Sequence, residues 1–166
     1  MIQPVWSNFF KKSDKLIIEY LKEVPVFEGL SVAELRKVES FIYKRKFVKN
    51  EFVFHQNEPG AGMYIIIKGK VKIALETPEG LQELAVLNNG DFFGDMSLLD
   101  KSSRSAAAIA DADEVILLSF FRGDLKAIIQ EHSGLGAKIL WNVGTVLAER
   151  LRKNNELLNQ KKNVSE

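Results

Sequence analysis

The chain has 166 residues, of which 46% are hydrophobic and 27% charged, and these proportions suit one globular domain with a sizeable core. Its formal net charge of +1 gives no support for binding nucleic acid through a basic surface. The lack of cysteine excludes disulfides, thiol catalysis and zinc held by cysteine, and no apolar run approaches the roughly 18 residues of a membrane span.

The N-terminal region predicts two short helices. Residues 1–12 carry aromatic side chains but lack the basic start and apolar core of a signal peptide, so we expect a cytoplasmic protein. Helical spacing of apolar residues predicts a helix over residues 15–23, which Pro25 ends. Ser31 and Glu34 are spaced as a capping box, which predicts a second helix from residue 31 to 41.

The middle of the chain changes to the two-residue period of strands. Val71, Ile73 and Leu75 alternate with polar or small residues, as in a half-buried antiparallel strand. Glycine- and proline-containing turns separate the strand-like segments. The predicted strands are 47–55, 63–68, 70–76, 81–87 and 105–120. The sequence therefore predicts a mainly β fold, an antiparallel jelly roll with N-terminal helices and a long C-terminal helix.

The C-terminal region returns to helix, first over residues 123–131 and then over 136–159. Leucine, valine and one asparagine recur every three or four residues of the long helix, at positions 140, 143, 147, 151, 154 and 158. This spacing resembles a coiled-coil seam and predicts a homodimer, although part of the stripe must pack on the β-roll. We divide the chain into a lead segment and helix (1–22), a β-roll (23–135) and a dimerisation helix with a tail (136–166).

The most informative stretch is GDMSLLDKSSRSAA, residues 94–107, which we call the cassette. Backbone N–H groups at the start of its short helix-like run favour negative charge. Arg104 supplies a planar, permanently charged group that suits phosphate oxygens, and Ser105 adds a hydroxyl. Asp95 can accept hydrogen bonds from sugar hydroxyls. A phosphate and a ribose in one small pocket indicate a nucleotide.

These residues resemble the phosphate-binding cassette of cyclic-nucleotide-binding domains, which occur in the bacterial catabolite activator protein and in regulatory subunits of cyclic-nucleotide-dependent kinases. Further similar motifs, such as MYIIIKGKV at 63–71 and HSGL at 132–135, extend the resemblance over roughly residues 20–158. It implies a β-roll that binds a cyclic mononucleotide, cyclic AMP or cyclic GMP, with no other cofactor and no catalysis.

The resemblance also implies a set of binding residues. The cyclic phosphate and ribose would lie on the cassette, at Gly94, Asp95, Met96, Ser97, Arg104, Ser105 and Ala106, where Met96 and Ser97 offer backbone N–H groups. Val71, Leu84 and Val86 are candidates for the pocket wall. Asn154 and Asn155, on the long helix, are candidate base contacts.

Several of these residues have a second interpretation. Asp95 stands where the family has glutamate, which is one methylene longer, so it either contacts the ribose or only caps the cassette helix. Gly94 either lets the backbone approach the ligand or is a plain turn glycine, and Ser105 could be an ordinary strand serine. The wall residues could belong to the core, and Asn154 could set the register of a coiled coil. The basic runs at 44–46 and 150–153 fit solvated faces.

The interpretation we favour is a stand-alone sensor that passes its signal through the long helix to a partner protein. The alternative is a ligand-free scaffold or dimerisation module, which Asp95 for glutamate and Ser103 for proline favour and Arg104 opposes. A third is a sensor of another phosphorylated ligand, such as a cyclic dinucleotide. His55 and His132 lack the neighbours of a metal site, and no serine stands in a nucleophile elbow, so we expect no enzyme. Without a recognition-helix domain after the long helix, we expect no direct DNA binding.

Overall fold

The computed structural model describes residues 17–163, and the predicted lead segment, residues 1–12, lies outside this range. The helices are α1 (17–23), α2 (Val32–Glu39), α3 (Arg122–Glu131) and α4 (Ser133–Asn163), and 3₁₀ helices span Pro25–Phe27 and Asp95–Leu98. The strands are β1 (Tyr43–Phe47), β2 (Phe52–Phe54), β3 (Gly62–Lys68), β4 (Val71–Thr77), β5 (Gly80–Leu87), β6 (Phe92–Phe93), β7 (Ala107–Ala110) and β8 (Val115–Phe121).

Two four-stranded sheets account for these strands within residues 17–163. The first sheet has the order β1-β8-β3-β6 and the second has the order β2-β7-β4-β5, with antiparallel pairing throughout. The chain crosses between the sheets at every connection except the one from β4 to β5, and thereby closes a roll. This confirms the predicted fold class, a mainly antiparallel β structure with flanking helices and a long C-terminal helix.

The crossings between the sheets correct two predicted strands. The segment predicted as one strand over 47–55 divides, because β1 ends at Phe47 and a turn with Asn50 at φ 67° precedes β2. The segment predicted over 105–120 likewise divides into β7 and β8. In addition β1 extends back to Tyr43, so the basic run 44–46 is exposed edge strand paired with β8. Lysine on an edge strand discourages pairing with another chain.

The core lies on both faces of the first sheet. Along β3, Met63, Ile65 and Ile67 belong to the cluster under the helices, whereas Tyr64 and Ile66 belong to the cluster between the two sheets. Because both faces are covered, β3 is an almost continuous apolar run and not an alternating one. The helices are therefore attached directly to the sheet that holds the roll together.

The long helix α4 has an inner half, residues 133–147, and an outer half, residues 148–160. Ile139, Val143 and Val146 of the inner half are buried in the core under the helices. Asn142 Nδ2 donates to Glu28 O at 2.9 Å, and the Lys138 ammonium pairs with Glu34 at 2.8 Å. Every residue of the outer half is exposed. The inner half is thus part of the folded body, whereas the outer half extends away from it.

The first turn of α2 has the predicted capping box. The Ser31 side chain accepts from Glu34 N, and the Glu34 carboxylate accepts from Ser31 N at 2.8 Å. In the described part of the chain, no helix combines the length and hydropathy that a membrane crossing needs.

Candidate anion-binding site

A cavity of about 240 Å³ lies between the cassette, the second sheet and α4. Its lining comprises Phe54, Ile73, Phe93, Gly94, Asp95, Met96, Ser97, Asp100, Ser102, Ser103, Arg104, Ser105, Ala106 and Arg150. All of the cassette residues predicted to bind the ligand are therefore brought together around one space.

The cassette begins with a turn that suits glycine. Gly94 adopts the left-handed conformation, with φ 77° and ψ 13°, and leads directly into the 3₁₀ helix Asp95–Leu98. A Cβ atom at Gly94 would lie 2.7 Å from Arg104 Nη1 and 3.0 Å from Gly62 O. Gly94 is therefore both a turn glycine and a point of close approach, and the group that approaches it here is the guanidinium of Arg104.

The Arg104 side chain is buried, with 6% of its surface exposed, and it is built into the walls of the cavity. Nη1 donates to Ser97 Oγ at 2.8 Å and to Gly94 O at 3.3 Å, and Nη2 donates to Gly62 O at 2.8 Å. The guanidinium carbon also lies 4.1 Å from the centre of the Phe54 ring. These contacts fix the orientation of the charge before any ligand binds.

Among the described residues, three of the five N–H groups of Arg104 donate to neutral groups, which leaves one N–H of Nη2 and the N–H of Nε. Its Nε is buried and has no hydrogen-bond partner among the described residues. Burial lowers the pKa of Arg104, an effect partly offset by Tyr64, but an arginine remains protonated at neutral pH. A buried cation whose hydrogen bonds all go to neutral groups is costly unless an anion compensates it. A small anion bound at Arg104 would supply this compensation.

Asp95 places a carboxylate on the same cavity. Its side chain is 1% exposed; Oδ1 accepts from Arg150 Nη1 at 2.5 Å, and Oδ2 has no partner among the described residues. No side-chain cap is present at the 3₁₀ helix, so the geometry does not support Asp95 as its capping residue. A buried carboxylate oxygen without a donor is rare in proteins and suits a ligand hydroxyl. The cavity thus offers a cation for an anion and an acceptor for a hydroxyl.

Ser97 lies at the centre of the cassette's hydrogen bonds. Its Oγ accepts from Arg104, and its N–H donates to Gly94 O at 3.1 Å, so this N–H is engaged within the 3₁₀ helix. A Cβ on Gly60 would lie 2.1 Å from Ser97 Oγ, so only glycine leaves room for this hydroxyl. The 3₁₀ helix is therefore held in place by contacts with Arg104 and with the loop before β3.

The predicted wall residues and base contacts lie elsewhere. Val71 is fully buried in the core between the sheets, and two residues further along β4 it is Ile73 that reaches the cavity. Leu84 and Val86 are exposed on β5, an edge strand, and do not line the cavity. The prediction that these three residues form the pocket wall therefore does not hold for this cavity. Alternation along β4 and β5 identifies apolar positions but not which of them the cassette covers.

Asn154 and Asn155 are exposed on the outer half of α4 and do not line the cavity. The residue of α4 that enters it is Arg150, one helical turn earlier, whose guanidinium lies 5.0 Å from the Phe92 ring. The sequence had placed Arg150 in a solvated basic run. Only its position one turn before Asn154, on the helix expected to face the ligand, could have indicated the contact.

A second arginine escaped the sequence reasoning. Arg122, the first residue of α3, directs its Nη1 to the carbonyl oxygens of Gly60 at 3.1 Å, Ser97 at 3.0 Å and Asp100. A cation is unfavourable at a helix N-terminus, so its position in the sequence could have marked it as a residue with another role.

Comparisons with known proteins agree with this geometry. Residues 44–132 match the family model of the cyclic nucleotide-binding domain. The cyclic AMP receptor protein of Thermus thermophilus is 36% identical over 135 residues, which cover 80% of this chain and 60% of that protein. A CRP-like cAMP-activated global transcriptional regulator of Mycobacterium tuberculosis is 31% identical over 141 residues, covering 84% of this chain and 61% of the regulator. The chain therefore spans about three fifths of these relatives.

Solved structures show the same relationship. The catabolite activator protein of Thermus thermophilus superposes with a TM-score of 0.72 at 33% identity, covering 84% of this chain and 63% of that one. A cyclic nucleotide-binding domain from Methylobacillus flagellatus has a TM-score of 0.76 at 24% identity, over 90% of this chain and 84% of that domain, and shows the shared fold. From the fold, the arginine and carboxylate on one cavity, and these matches together, the chain belongs to the cyclic nucleotide-binding domain family.

Proposed function

We propose that this chain binds a cyclic mononucleotide, cyclic AMP or cyclic GMP, in the cassette cavity and acts as a sensor, not as an enzyme. The observation that carries the proposal is the pair of buried, oppositely charged groups on one cavity. Arg104 Nε and Asp95 Oδ2 each lack a partner among the described residues, and they supply a donor for a phosphate and an acceptor for a sugar hydroxyl.

The phosphate would bind at Arg104. Nη1 donates twice to the protein and Nη2 once, so the second N–H of Nη2 and the N–H of Nε remain for phosphate oxygens. The Ser105 side chain is exposed and lines the cavity, so its hydroxyl can donate to a second oxygen. The Ser97 N–H could join only if the 3₁₀ helix shifted, since it is bonded to Gly94 O. Ligand binding is thereby linked to a small change in the cassette.

The ribose would bind at Asp95. Its Oδ2 can accept a hydrogen bond from the 2′-hydroxyl, while its Oδ1 stays paired with Arg150. The aspartate side chain is one methylene shorter than the family's glutamate, and Arg150 of α4 holds its carboxylate in place. Loss of a charged hydrogen bond of this kind costs about 1.5–3 kcal/mol, or one to two decades in affinity.

The base would extend from the cavity toward α4. The volume of about 240 Å³ is below the range of about 300–1,000 Å³ that is usual for small-molecule pockets, so a whole nucleotide does not fit inside it. Arg150 already joins α4 to the cavity, and Asn154 and Asn155 follow it on the exposed outer half. We propose these two amides as base contacts that form when the outer half folds over the ligand.

We further propose that the outer half of α4 forms a homodimer and transmits the signal to a partner protein in the cytoplasm. Leu151, Leu157 and Leu158 are each at least half exposed, which supports an interface there. One of the relatives named above is a global transcriptional regulator. We nevertheless propose no direct DNA contact by this chain, since its net charge is only +1. A sequence-specific gel shift at physiological ionic strength would contradict this last point.

Calorimetry and thermal unfolding with each cyclic nucleotide test ligand binding. At 100 times the dissociation constant, a ligand bound only to the native state stabilises it by about 2.7 kcal/mol. Arg104→Gln should abolish binding, whereas Arg152→Gln, on the exposed outer half, should not. Asp95→Asn should weaken binding about tenfold or more, with Asp113→Asn as the exposed control, and Asp95→Glu should bind equally or better. Flat melting curves with both nucleotides at millimolar concentration would favour the scaffold.

Light scattering tests the dimer. Leu151→Glu and Leu158→Glu should each shift the protein toward monomer, because a carboxylate in an apolar seam is desolvated without a partner. Leu81→Glu is the matched control, since Leu81 is also about half exposed but lies on β5. A wild-type protein that is monomeric at micromolar concentration, with and without nucleotide, would overturn the dimer.

A further inference from the structure

Arg122 connects α3 to the cassette through hydrogen bonds on both its backbone and its side chain. Its N–H donates to Ala61 O at 2.8 Å, in the loop before β3. Its Nη1 lies within hydrogen-bond distance of Gly60 O, Ser97 O and Asp100 O, so its two hydrogens are shared among three carbonyl groups. One side chain therefore joins the start of α3 to the 3₁₀ helix of the cassette and to the segment that follows it.

Helix stability does not explain an arginine at this position. The first turn of a helix favours negative charge, and Asp124 already satisfies it by accepting from Phe121 N at 3.2 Å. The acceptors of the Arg122 guanidinium all lie outside α3. The guanidinium therefore stabilises the cassette and the loop before β3, and not the helix to which it belongs.

Ser97 is shared between this arginine and the one in the cavity. Arg104 Nη1 donates to Ser97 Oγ at 2.8 Å, and Arg122 Nη1 donates to Ser97 O at 3.0 Å. A ligand that changes the hydrogen bonds of Arg104 acts directly on Ser97. Any movement of Ser97 then changes the distance between Arg122 Nη1 and Ser97 O.

The packing of α3 on α4 extends this connection. A Cβ on Gly136, in the first turn of α4, would lie 2.7 Å from Ile129 Cα of α3. With no space for even a methyl group, the two helices are in direct contact at this point. The packed inner half of α4 therefore limits how far α3 can move.

We infer that Arg122 is a positioning residue that couples the cassette to α3, so that the geometry of the anion site and the position of α3 depend on each other. The ligand-dependent part of this inference rests on the proposed function, whereas the coupling itself does not. A coupling of this kind is a free energy between two sites and must be measured at both of them.

Amide hydrogen exchange without ligand is the first test. In Arg122→Gln, exchange at residues 95–100 of the cassette and in the first turn of α3 should accelerate by about fivefold or more, because three carbonyl groups lose their donor. Arg122→Lys should give an intermediate effect, since its ammonium also carries several N–H donors but sits on a shorter side chain and has to shift to reach the position of Nη1. Lys126→Gln, exposed on the same helix, is the control and should match the wild type. Unchanged cassette exchange in Arg122→Gln would overturn the inference.

The second test adds saturating cyclic AMP or cyclic GMP, whichever the wild type binds. Ligand should slow exchange in the cassette and in α3 of the wild type, but in the cassette alone of Arg122→Gln, with affinity weakened about tenfold. A merely structural residue would lower stability without separating the two responses, so equal slowing of α3 in variant and wild type would overturn the coupling. If the wild type binds neither nucleotide, the proposed function fails, and the ligand-free exchange decides the inference about Arg122.

Discussion

The two halves of α4 belong to one continuous helix but are held by different forces. The inner half is fixed by burial of Ile139, Val143 and Val146 and by polar contacts with the N-terminal turns. The outer half is exposed throughout, and its contact with the cavity is the ion pair between Arg150 and Asp95. Packing thus determines the position of the first half, whereas the second depends on the state of the site.

This difference shows how a rigid fold can carry a movable element. Apolar burial is non-directional and insensitive to a small ligand, so the inner half stays in place whether or not the cavity is filled. The Asp95 carboxylate pairs with Arg150 of α4 and has a second oxygen that can accept from a ligand hydroxyl, so binding of the ligand affects the ion pair directly. The helix is therefore expected to change from the region near Arg150 outward, because a ligand shifts an equilibrium only through contacts that differ between two states.

The largest loss of stability is expected from a substitution in the buried inner half of α4. Ile139→Ala should lower the free energy of unfolding by about 2–5 kcal/mol, because it removes a fully buried side chain and leaves a cavity. Leu151→Ala, in the outer half and 61% exposed, should change it by less than about 0.5 kcal/mol. Urea unfolding at a concentration where light scattering shows monomer measures both. Similar losses from the two variants would contradict the division of α4 into a packed and an exposed half.

Much of the fold and part of the site follow from local patterns. The capping box of Ser31 and Glu34, the alternation along β4 and the amphipathic spacing of the helices each depend on residues close in sequence. The cassette residues line one cavity for the same reason, since a single turn and a short 3₁₀ helix contain most of them. The sequence is informative wherever the interacting groups are neighbours along the chain.

The errors arose where distant segments meet. Nothing near Arg150 distinguishes it from a solvated arginine, because its partner Asp95 lies 55 positions earlier. Arg122 likewise bonds to Gly60, 62 positions away. Strand β1 forms through its pairing with β8, which no alternation in a run of basic residues could reveal. Long-range contacts of this kind depend on the whole topology, which the local pattern does not contain.

The next largest effect is expected when the ion pair between the outer half of α4 and the cavity is removed. Arg150→Gln should destabilise the protein by about 2 kcal/mol, because it leaves the buried Asp95 carboxylate without its cation. The loss stays below that of a fully buried pair because the Arg150 side chain is 46% exposed. Amide exchange in residues 148–160 should also accelerate. Urea unfolding and hydrogen exchange are the measurements, with Arg152→Gln as the exposed control.

A double-mutant cycle sharpens this prediction. If the ion pair is the cause, Arg150→Gln should cost much less in an Asp95→Asn background, with a coupling energy of about 1–2 kcal/mol between the two sites. Equal costs in both backgrounds would show that Arg150 acts through its contact with the Phe92 ring and not through the carboxylate.

The smallest expected effect concerns the ion pair that ties α2 to the inner half. The hydrogen bond from the Lys138 ammonium, helped by Ser31 N–H, lowers the pKa of Glu34 from 4.5 to about 2. Because the pKa is lowered in the folded state, this contribution is fully present above about pH 4.5 and is lost as the pH falls toward 2. The Glu34 side chain is 22% exposed, so solvent screening limits the contribution to about 1 kcal/mol.

Glu34→Gln removes the charge but keeps an N3 residue that can complete the capping box. Its free energy of unfolding should therefore fall about 1 kcal/mol below the wild type at pH 7, and the two curves should converge as the pH is lowered from 4.5 to 2. Glu131→Gln, an exposed carboxylate on α3, should run parallel to the wild type over the same range. Urea unfolding at a series of pH values measures this difference. A constant gap between Glu34→Gln and the wild type down to pH 2 would mean that α4 is held to α2 by packing alone, since a charge effect must vanish once the carboxylate is protonated.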